Sequence, residues 1–342
     1  MGRPVLDRVR VLCTNAVPHP CEHALATKMG TPMKSRSLRQ QYIALLAFIL
    51  MLAARPVFAQ SPPSAGQPFQ ARLDAAAQAL GSHPRYKNTS LKFRQQIVEF
   101  VIGNILFAML HELGHVAIAE MELPVVGKEE DAADSFAAMR LIRLGSAFSH
   151  RVLVEAAKGW FLSVRRDKKE GDEADYYDAH GLDQQRAYQI VCFMVGADPF
   201  KFKDLADETK LPENRQKSCA RDYSKASSSW ELLLKPHLRS ADQPKTKIDY
   251  AYGEGKGDRL ENIARVAHSI QLLETLARRW AETFAWPEPF TLEAQSCGFP
   301  NAAWVQATRK LTVCYELFAD FSDLYRTYGA AAPTSRRKRK SK

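Results

Sequence analysis

The stretch Phe107-Ala-Met-Leu-His-Glu-Leu-Gly-His115 decides how this chain is interpreted. It lies within residues 91–120, where apolar residues recur at helical spacing and no proline interrupts, so we predict one long, largely buried helix. His111 and His115 are about one turn apart, which puts both imidazoles on one helix face. Two histidines in this arrangement can reach one zinc ion, and Glu112 beside them can take a proton from water.

A catalytic zinc site needs a third protein ligand, and the acids that follow the motif can supply it. The sequence Glu129-Glu-Asp-Ala-Ala-Asp134 opens a second predicted helix, over about residues 128–144. Glu130 and Asp134 are one turn apart, so Glu130 can bind zinc while Asp134 accepts the free N–H of a ligand histidine. Glu129 stays open as an alternative ligand, because acids are also common in first helical turns for their favourable interaction with the helix dipole.

The remainder of the chain is predicted to be mostly helical. Hydrophobic periodicity and breaker residues favour further helices over residues 150–166, 182–196, 213–234 and 258–285. Strand-like runs occur only late, at residues 247–252, 290–294 and 309–314. The expected fold class is therefore α+β, predominantly helical, with a small antiparallel sheet.

Basic residues are concentrated at the two ends of the chain. Its 342 residues include 48 Lys and Arg against 38 Asp and Glu, but residues 60–335 hold 34 basic and 36 acidic residues. This nearly neutral body argues against a nucleic-acid partner. We interpret residues 331–342 as a basic disordered tail, and weak contact of this tail with an anionic envelope surface is the alternative.

One apolar run of thirteen residues, 42–54, follows a basic flank and precedes the small-x-small pattern Val57-Phe-Ala59. That length suits the core of a signal peptide better than a membrane span, and a signal anchor that stays in place is the alternative. The protein is therefore expected to be exported, to the periplasm or the medium. The predicted organisation is a misannotated leader at 1–32 with the true start at Met33, a signal peptide at 33–59, a linker at 60–69 and a folded domain at 70–330.

Beyond the predicted leader the chain has an even number of cysteines, Cys192, Cys219, Cys297 and Cys314. An oxidising compartment would permit disulfides between them. Four cysteines allow three pairings. Proximity in sequence favours Cys192 with Cys219 and Cys297 with Cys314.

The histidine motif, together with the run from Val125 to Ala137, resembles the DUF4344 group of metallopeptidases. More loosely the chain resembles gluzincins, whose third ligand lies in an E-x-x-A-D motif, here Glu130 to Asp134. The resemblance covers most of residues 90–328. It implies a zincin-like domain, a zinc cofactor and hydrolysis of a peptide or protein substrate, whose identity it does not supply.

The expected mechanism uses Glu112 as general base beside zinc held by His111, His115 and Glu130. The developing oxyanion needs a further donor. His180 and Arg186 are the candidates, with Asp183 near enough in sequence to orient one of them; a salt-bridge role is the alternative for each.

Two further alternatives stay open. The segment Asn301-Ala302 with the strand after it resembles the edge strand that lies along the cleft of some gluzincins, although here it follows the histidine helix instead of preceding it. A disulfide-closed hairpin that packs on the core is the other interpretation. The alternative function is a non-catalytic zinc-binding or scaffold protein of the cell envelope, and Glu112 argues against it because a structural site has no use for a base.

Overall fold

The computed structural model describes residues 68–172 and 176–329. The predicted leader, signal peptide and basic tail, and most of the predicted linker, lie outside these residues. The α-helices in the described part are α1 (Phe69–Ala79), α2 (Leu91–Glu120), α3 (Glu129–Leu144), α4 (Ala147–Glu170), α5 (Asp183–Ala197), α6 (Lys203–Glu208), α7 (Glu213–Leu234), α8 (Asp258–Ser269), α9 (Leu272–Thr283) and α10 (Tyr315–Leu324). The strands are β1 (Ile248–Tyr252), β2 (Phe290–Gln295), β3 (Ala302–Val305) and β4 (Lys310–Cys314).

Helix α2 is the centre of the structure. It begins after Ser90, whose hydroxyl accepts a hydrogen bond from the N–H of Phe93 at 3.2 Å and so satisfies one of the free donors of the first turn. It is long and apolar enough to cross a membrane, but 83% of its most apolar window is buried inside the protein. Helices α1, α3, α4 and α10 and strand β3 all pack against it. The apolar residues of α2 therefore form part of the hydrophobic core of the domain.

Helix α3 packs closely on α2 at the histidine motif. The closeness depends on Gly114, where a Cβ atom would lie 3.0 Å from the Cα of Ala133. Helix α3 begins with the acids of residues 129–131 and ends at Gly145, which takes the left-handed conformation with φ of 62°. Because two small residues face each other, the side chains of the two helices can meet in one site.

The sheet is mixed, which corrects the expectation of an antiparallel sheet. Its strand order is β1-β2-β4-β3. Strand β1 runs parallel to β2, and β2 runs parallel to β4, so only β3 and β4 pair antiparallel. The physical reason is the connection between β1 and β2, which passes through α8 and α9 and returns the chain to the starting end of the sheet. The predominantly helical α+β class is confirmed.

Other differences from the predicted elements are local. The helix predicted over 258–285 is two helices, because Gln271 takes a left-handed conformation with φ of 51° between α8 and α9. Helices α1, α6 and α10 and the short strand β3 were not among the predicted elements. Disulfides join Cys192 to Cys219, between α5 and α7, and Cys297 to Cys314, at the end of β4.

Candidate metal centre

Three donor atoms from α2 and α3 converge in a buried site. The Nε2 atoms of His111 and His115 lie 3.2 Å apart. The Oε2 atom of Glu130 lies 3.1 Å from Nε2 of His111 and 3.4 Å from Nε2 of His115. All three residues are at least 93% buried, and together they form a group that could hold a metal ion.

Each histidine has a carboxylate on its other ring nitrogen. Nδ1 of His111 lies 2.8 Å from Oδ1 of Asp134, and Nδ1 of His115 lies 2.8 Å from Oε1 of Glu129. A carboxylate accepts hydrogen bonds, so each ring places its proton on Nδ1. The lone pairs on both Nε2 atoms then point at each other and at Glu130, an arrangement that a cation stabilises and that carboxylate-supported histidine ligands commonly adopt.

The spacing of these donors fits a tetrahedral metal ion. Ligands about 2.0–2.1 Å from zinc are separated by about 3.3–3.4 Å along the edge of a tetrahedron. The observed separations of 3.1, 3.2 and 3.4 Å are close to that edge. Among the described residues the group supplies three protein ligands, which is the number found at catalytic zinc sites that keep a position for water.

The electrostatics of the site favour a bound positive charge. Burial lowers the pKa of His111, but hydrogen bonds with Asp134 and Glu130 outweigh it and raise the pKa to about 9. Burial likewise opposes ionisation of Glu130, yet hydrogen bonds from the histidines around it hold the pKa of this carboxyl well below its usual range. The site therefore stabilises positive charge among its nitrogen atoms, as protons or as a metal ion.

Glu112 is not one of these three donors, and one of its oxygens contacts a different part of the fold. Its side chain is 97% buried, and its Oε2 accepts a 2.8 Å hydrogen bond from the backbone N–H of Trp304 in strand β3. Burial raises the pKa of Glu112, while the two neighbouring histidines and the Trp304 N–H act in the opposite direction. A buried carboxyl with a raised pKa is suited to accepting a proton from water and returning it.

His180 reaches the site from the loop before α5. Its Nε2 lies 2.8 Å from Oε2 of Glu130, and its Nδ1 lies 3.2 Å from Oδ1 of Asp178. Lys128 donates to the backbone carbonyl of Asp178 at 3.0 Å, which ties this loop to the start of α3. Asp183 was expected to orient His180 or Arg186. The acid bonded to His180 is Asp178, two residues before it, while Asp183 interacts with the charge of Arg186.

Arg186 forms a salt bridge, which was the alternative to its role as an oxyanion donor. Its guanidinium forms two hydrogen bonds with Asp134, at 2.7 and 2.8 Å, and lies 3.8 Å from the ring centroid of Trp160. This pairing lowers the pKa of Asp134 against the effect of its burial. Arg186 thus fixes the carboxylate that supports His111, and it connects α5 to the site.

Strand β3 presents a free edge beside Glu112. It is the last strand in the sheet, and the backbone carbonyl of Asn301 accepts from the N–H of Cys314 on the side of β4. Since hydrogen-bonding directions alternate along a strand, the backbone groups of Ala302 and Trp304 face the other side. The side-chain oxygen of Asn301 is buried and has no hydrogen-bond partner among the described residues.

Sequence reasoning missed three contributors to the site: Trp304, Asp178 and the role of Glu129 as partner of His115. The spacing of Asp178, two residues before His180, was a visible signal for a local hydrogen bond. The other two depend on tertiary contacts. No sequence pattern predicts that a backbone N–H 192 residues away donates a hydrogen bond to Glu112.

The fold and the site define a predominantly helical α+β protein with a buried His-His-Glu group that could hold a metal. A family model, DUF4344, with the description "Putative metallopeptidase", matches residues 74–234 and 252–341. The chain belongs to this family. No curated protein and no solved structure matches it.

Proposed function

We propose that the protein is an exported, zinc-dependent metallopeptidase. The observation that carries the proposal is the convergence of the His111, His115 and Glu130 donors next to Glu112, a buried carboxyl that is not one of them. The family description agrees with a metallopeptidase.

His111, His115 and Glu130 would hold the zinc ion, with Asp134 and Glu129 supporting the two histidines. When bound, zinc would supply a Lewis acid that polarises a carbonyl and makes water more acidic. The remaining chemistry falls to side chains of this chain.

Glu112 acts as general base and then as proton carrier. It takes a proton from the attacking water and delivers it to the nitrogen that leaves. The Trp304 N–H holds one carboxylate oxygen, so the other oxygen is available for this exchange. His180 is the proposed donor to the developing oxyanion, because its ring lies at the edge of the donor group and Asp178 fixes its orientation.

A peptide substrate is favoured by the free edge of β3. An extended peptide can pair with the outward-facing backbone groups of Ala302 and with the carbonyl of Trp304, whose N–H is held by Glu112, as strands add to exposed sheet edges. Such pairing would bring the peptide backbone next to Glu112. Asn301, whose buried side-chain oxygen has no partner among the described residues, is a further acceptor for a substrate N–H at this position.

Export is supported by the two disulfides, which persist in oxidising compartments. The predicted signal peptide at residues 33–59 would direct it. Periplasmic or secreted localisation is therefore part of the proposal.

The test combines metal content with hydrolysis. Elemental mass spectrometry of the purified protein should find one zinc per chain, and fluorescein-labelled casein should be cleaved. Glu112→Gln should keep zinc and lose hydrolysis by at least about 100-fold. Glu122→Gln is the matched control, since this exposed acid lies in the following loop. An active Glu112→Gln protein would contradict the mechanism, and zinc without hydrolysis in the wild type would favour the non-catalytic alternative.

A further inference from the structure

A second cavity lies along the amino-terminal half of α2, away from the metal centre. Helices α2, α8 and α10 and the segment after α1 line a half-open cavity with a volume of about 90 Å³. Its walls are aliphatic: Ile97, Val98, Val101, Ile102, Ile263 and Val266. This volume is below the roughly 300–1,000 Å³ of typical small-molecule sites, so an occupant would fill the cavity and extend through its open mouth.

Polar side chains on the wall of this cavity already have hydrogen-bond partners within the protein. The hydroxyls of Tyr86 and Ser322 lie 2.6 Å apart and share a hydrogen bond. The amide of Asn262 donates to the backbone carbonyl of Asp258, one turn back on α8, at 2.6 Å. The wall therefore gives little to hydrogen-bond with water, and an apolar occupant would be favoured over it.

Positive charge gathers at one side of the cavity. Arg259 lines it and donates through Nη2 to Asp323, at 2.8 Å. Asp323 is shared with two more arginines, Arg85 and Arg326. Three guanidinium groups thus meet one carboxylate, and Nε of Arg85 is buried with no hydrogen-bond partner among the described residues. An anion at this position would meet a net positive charge.

We propose that this cavity binds a free fatty acid, with the hydrocarbon chain between α2 and α8 and the carboxylate at Arg259. The apolar wall accounts for binding of the hydrocarbon chain. The three arginines that share Asp323 account for binding of the negatively charged carboxylate. Ile102 is nine residues before His111 on α2, or about 14 Å along the helix axis. The site is therefore separate from the metal centre, and the proposal does not depend on hydrolytic activity.

The probe is dodecanoate, compared with dodecanol and dodecyltrimethylammonium on the full-length wild-type protein. Displacement of the fluorescent fatty acid parinarate should show one saturable site that prefers dodecanoate to dodecanol by about tenfold, as expected for one favourable ionic contact. The cationic amphiphile should bind more weakly still. Equal binding of all three compounds would mean nonspecific adsorption and would overturn the proposal, as would the absence of saturable binding.

Variants locate the site. Val101→Trp and Ile263→Trp each place a large ring in the cavity from a different helix and should abolish displacement. Arg259→Gln should weaken dodecanoate by about tenfold and leave dodecanol unchanged. Arg221→Gln, an exposed arginine on α7 outside the cavity, is the matched control and should bind as the wild type does. Undiminished binding in both tryptophan variants, with folding verified by circular dichroism, would place the fatty acid elsewhere and contradict the proposal.

Discussion

The backbone N–H of Trp304 donates a 2.8 Å hydrogen bond to the carboxylate of Glu112, across 192 residues of sequence. Strand β3 is thereby fixed against the middle of α2. The bond uses the main chain, so the identity of residue 304 matters only through whether it has an N–H and what its ring packs against.

That distinction can be tested with Trp304→Pro, which removes the N–H, beside Trp304→Ala, which keeps it. Proline is tolerated on the free side of an edge strand, because that N–H makes no bond to β4. Loss of the N–H should raise the pKa of Glu112 further. Since the base works only when ionised, the acidic limb of the pH–rate profile should move to higher pH in the proline variant relative to the alanine variant. Identical profiles would mean that the bond does not tune Glu112.

Support of His111 by Asp134 can be measured through zinc affinity. Asp134→Asn should weaken zinc binding by about 10–100-fold, the usual effect of losing a carboxylate that orients a ligand histidine. Competition with a chromogenic chelator gives the dissociation constant. Glu129→Gln is the comparison, because its half-exposed side chain supports the other histidine in contact with solvent, and its effect should be smaller. Equal affinity in the wild type and Asp134→Asn would remove Asp134 from the site.

The close approach of α2 and α3 predicts that Gly114→Ala separates the metal ligands. The added methyl would lie 3.0 Å from the Cα of Ala133, a backbone atom, so the helices must move apart. Zinc affinity should fall by about tenfold or more, in line with disturbed ligand geometry. Gly103→Ala is the control, since its methyl meets the side chain of Glu155 on α4 at 2.9 Å. It should lower thermal stability while leaving zinc affinity unchanged.

Asp183 predicts a pH dependence of stability. Burial raises its pKa from 3.8 to about 6, against the attraction of Arg186. The folded state then binds a proton more tightly than the unfolded state, so stability falls as pH rises from about 4 to about 6. Asp183→Asn should therefore be more stable than the wild type at pH 7.5, and the difference should shrink at pH 4.5. Allowing for solvent screening, the gain is on the order of 1 kcal/mol, or about 2–4 °C in Tm. A constant difference across this range would contradict the assignment.

The disulfide between Cys297 and Cys314 braces the turn before β3. The carboxylate of Glu316 also accepts hydrogen bonds from the N–H groups of Cys297 and Gly298, at 3.0 and 2.8 Å. Replacing both cysteines with serine should cost about 2–5 kcal/mol of unfolding free energy, measured by denaturant titration. Wild type under reducing conditions also loses the disulfide between Cys192 and Cys219, so its unfolding free energy should fall at least as far. Undiminished stability in both experiments would show that Glu316 alone holds the turn.

Periodicity was sufficient for the long helices and insufficient for the sheet. Residues 91–120 repeat apolar side chains at helical spacing over a length that leaves one interpretation, and helix α2 has those bounds. Strand β3 has only four residues, from Ala302 to Val305, too few for alternation to be recognised. The parallel pairing of β1 with β2 depends on how α8 and α9 pack, which local sequence does not encode.

The same contrast holds for the site. His111, His115 and Glu130 lie on helices that are adjacent in sequence, so their spacing was sufficient to predict them as metal ligands. The contact of Arg186 with Asp134 spans 52 residues, and it depends on how α5 docks against α3. The sequence therefore allowed a salt bridge for Arg186 but could not name Asp134 as its partner, since the neighbouring residues indicated only charge.

The distance in sequence between Glu112 and Trp304 also sets an order of assembly. The donor atoms of the metal centre all lie within residues 111–130 and are made early in synthesis. The backbone group that positions Glu112 belongs to a strand near the end of the described chain. A nascent or truncated chain that ends before β3 can have all three metal ligands and still lack the hydrogen bond that positions its base. The site is therefore fully organised only after the carboxy-terminal sheet has formed.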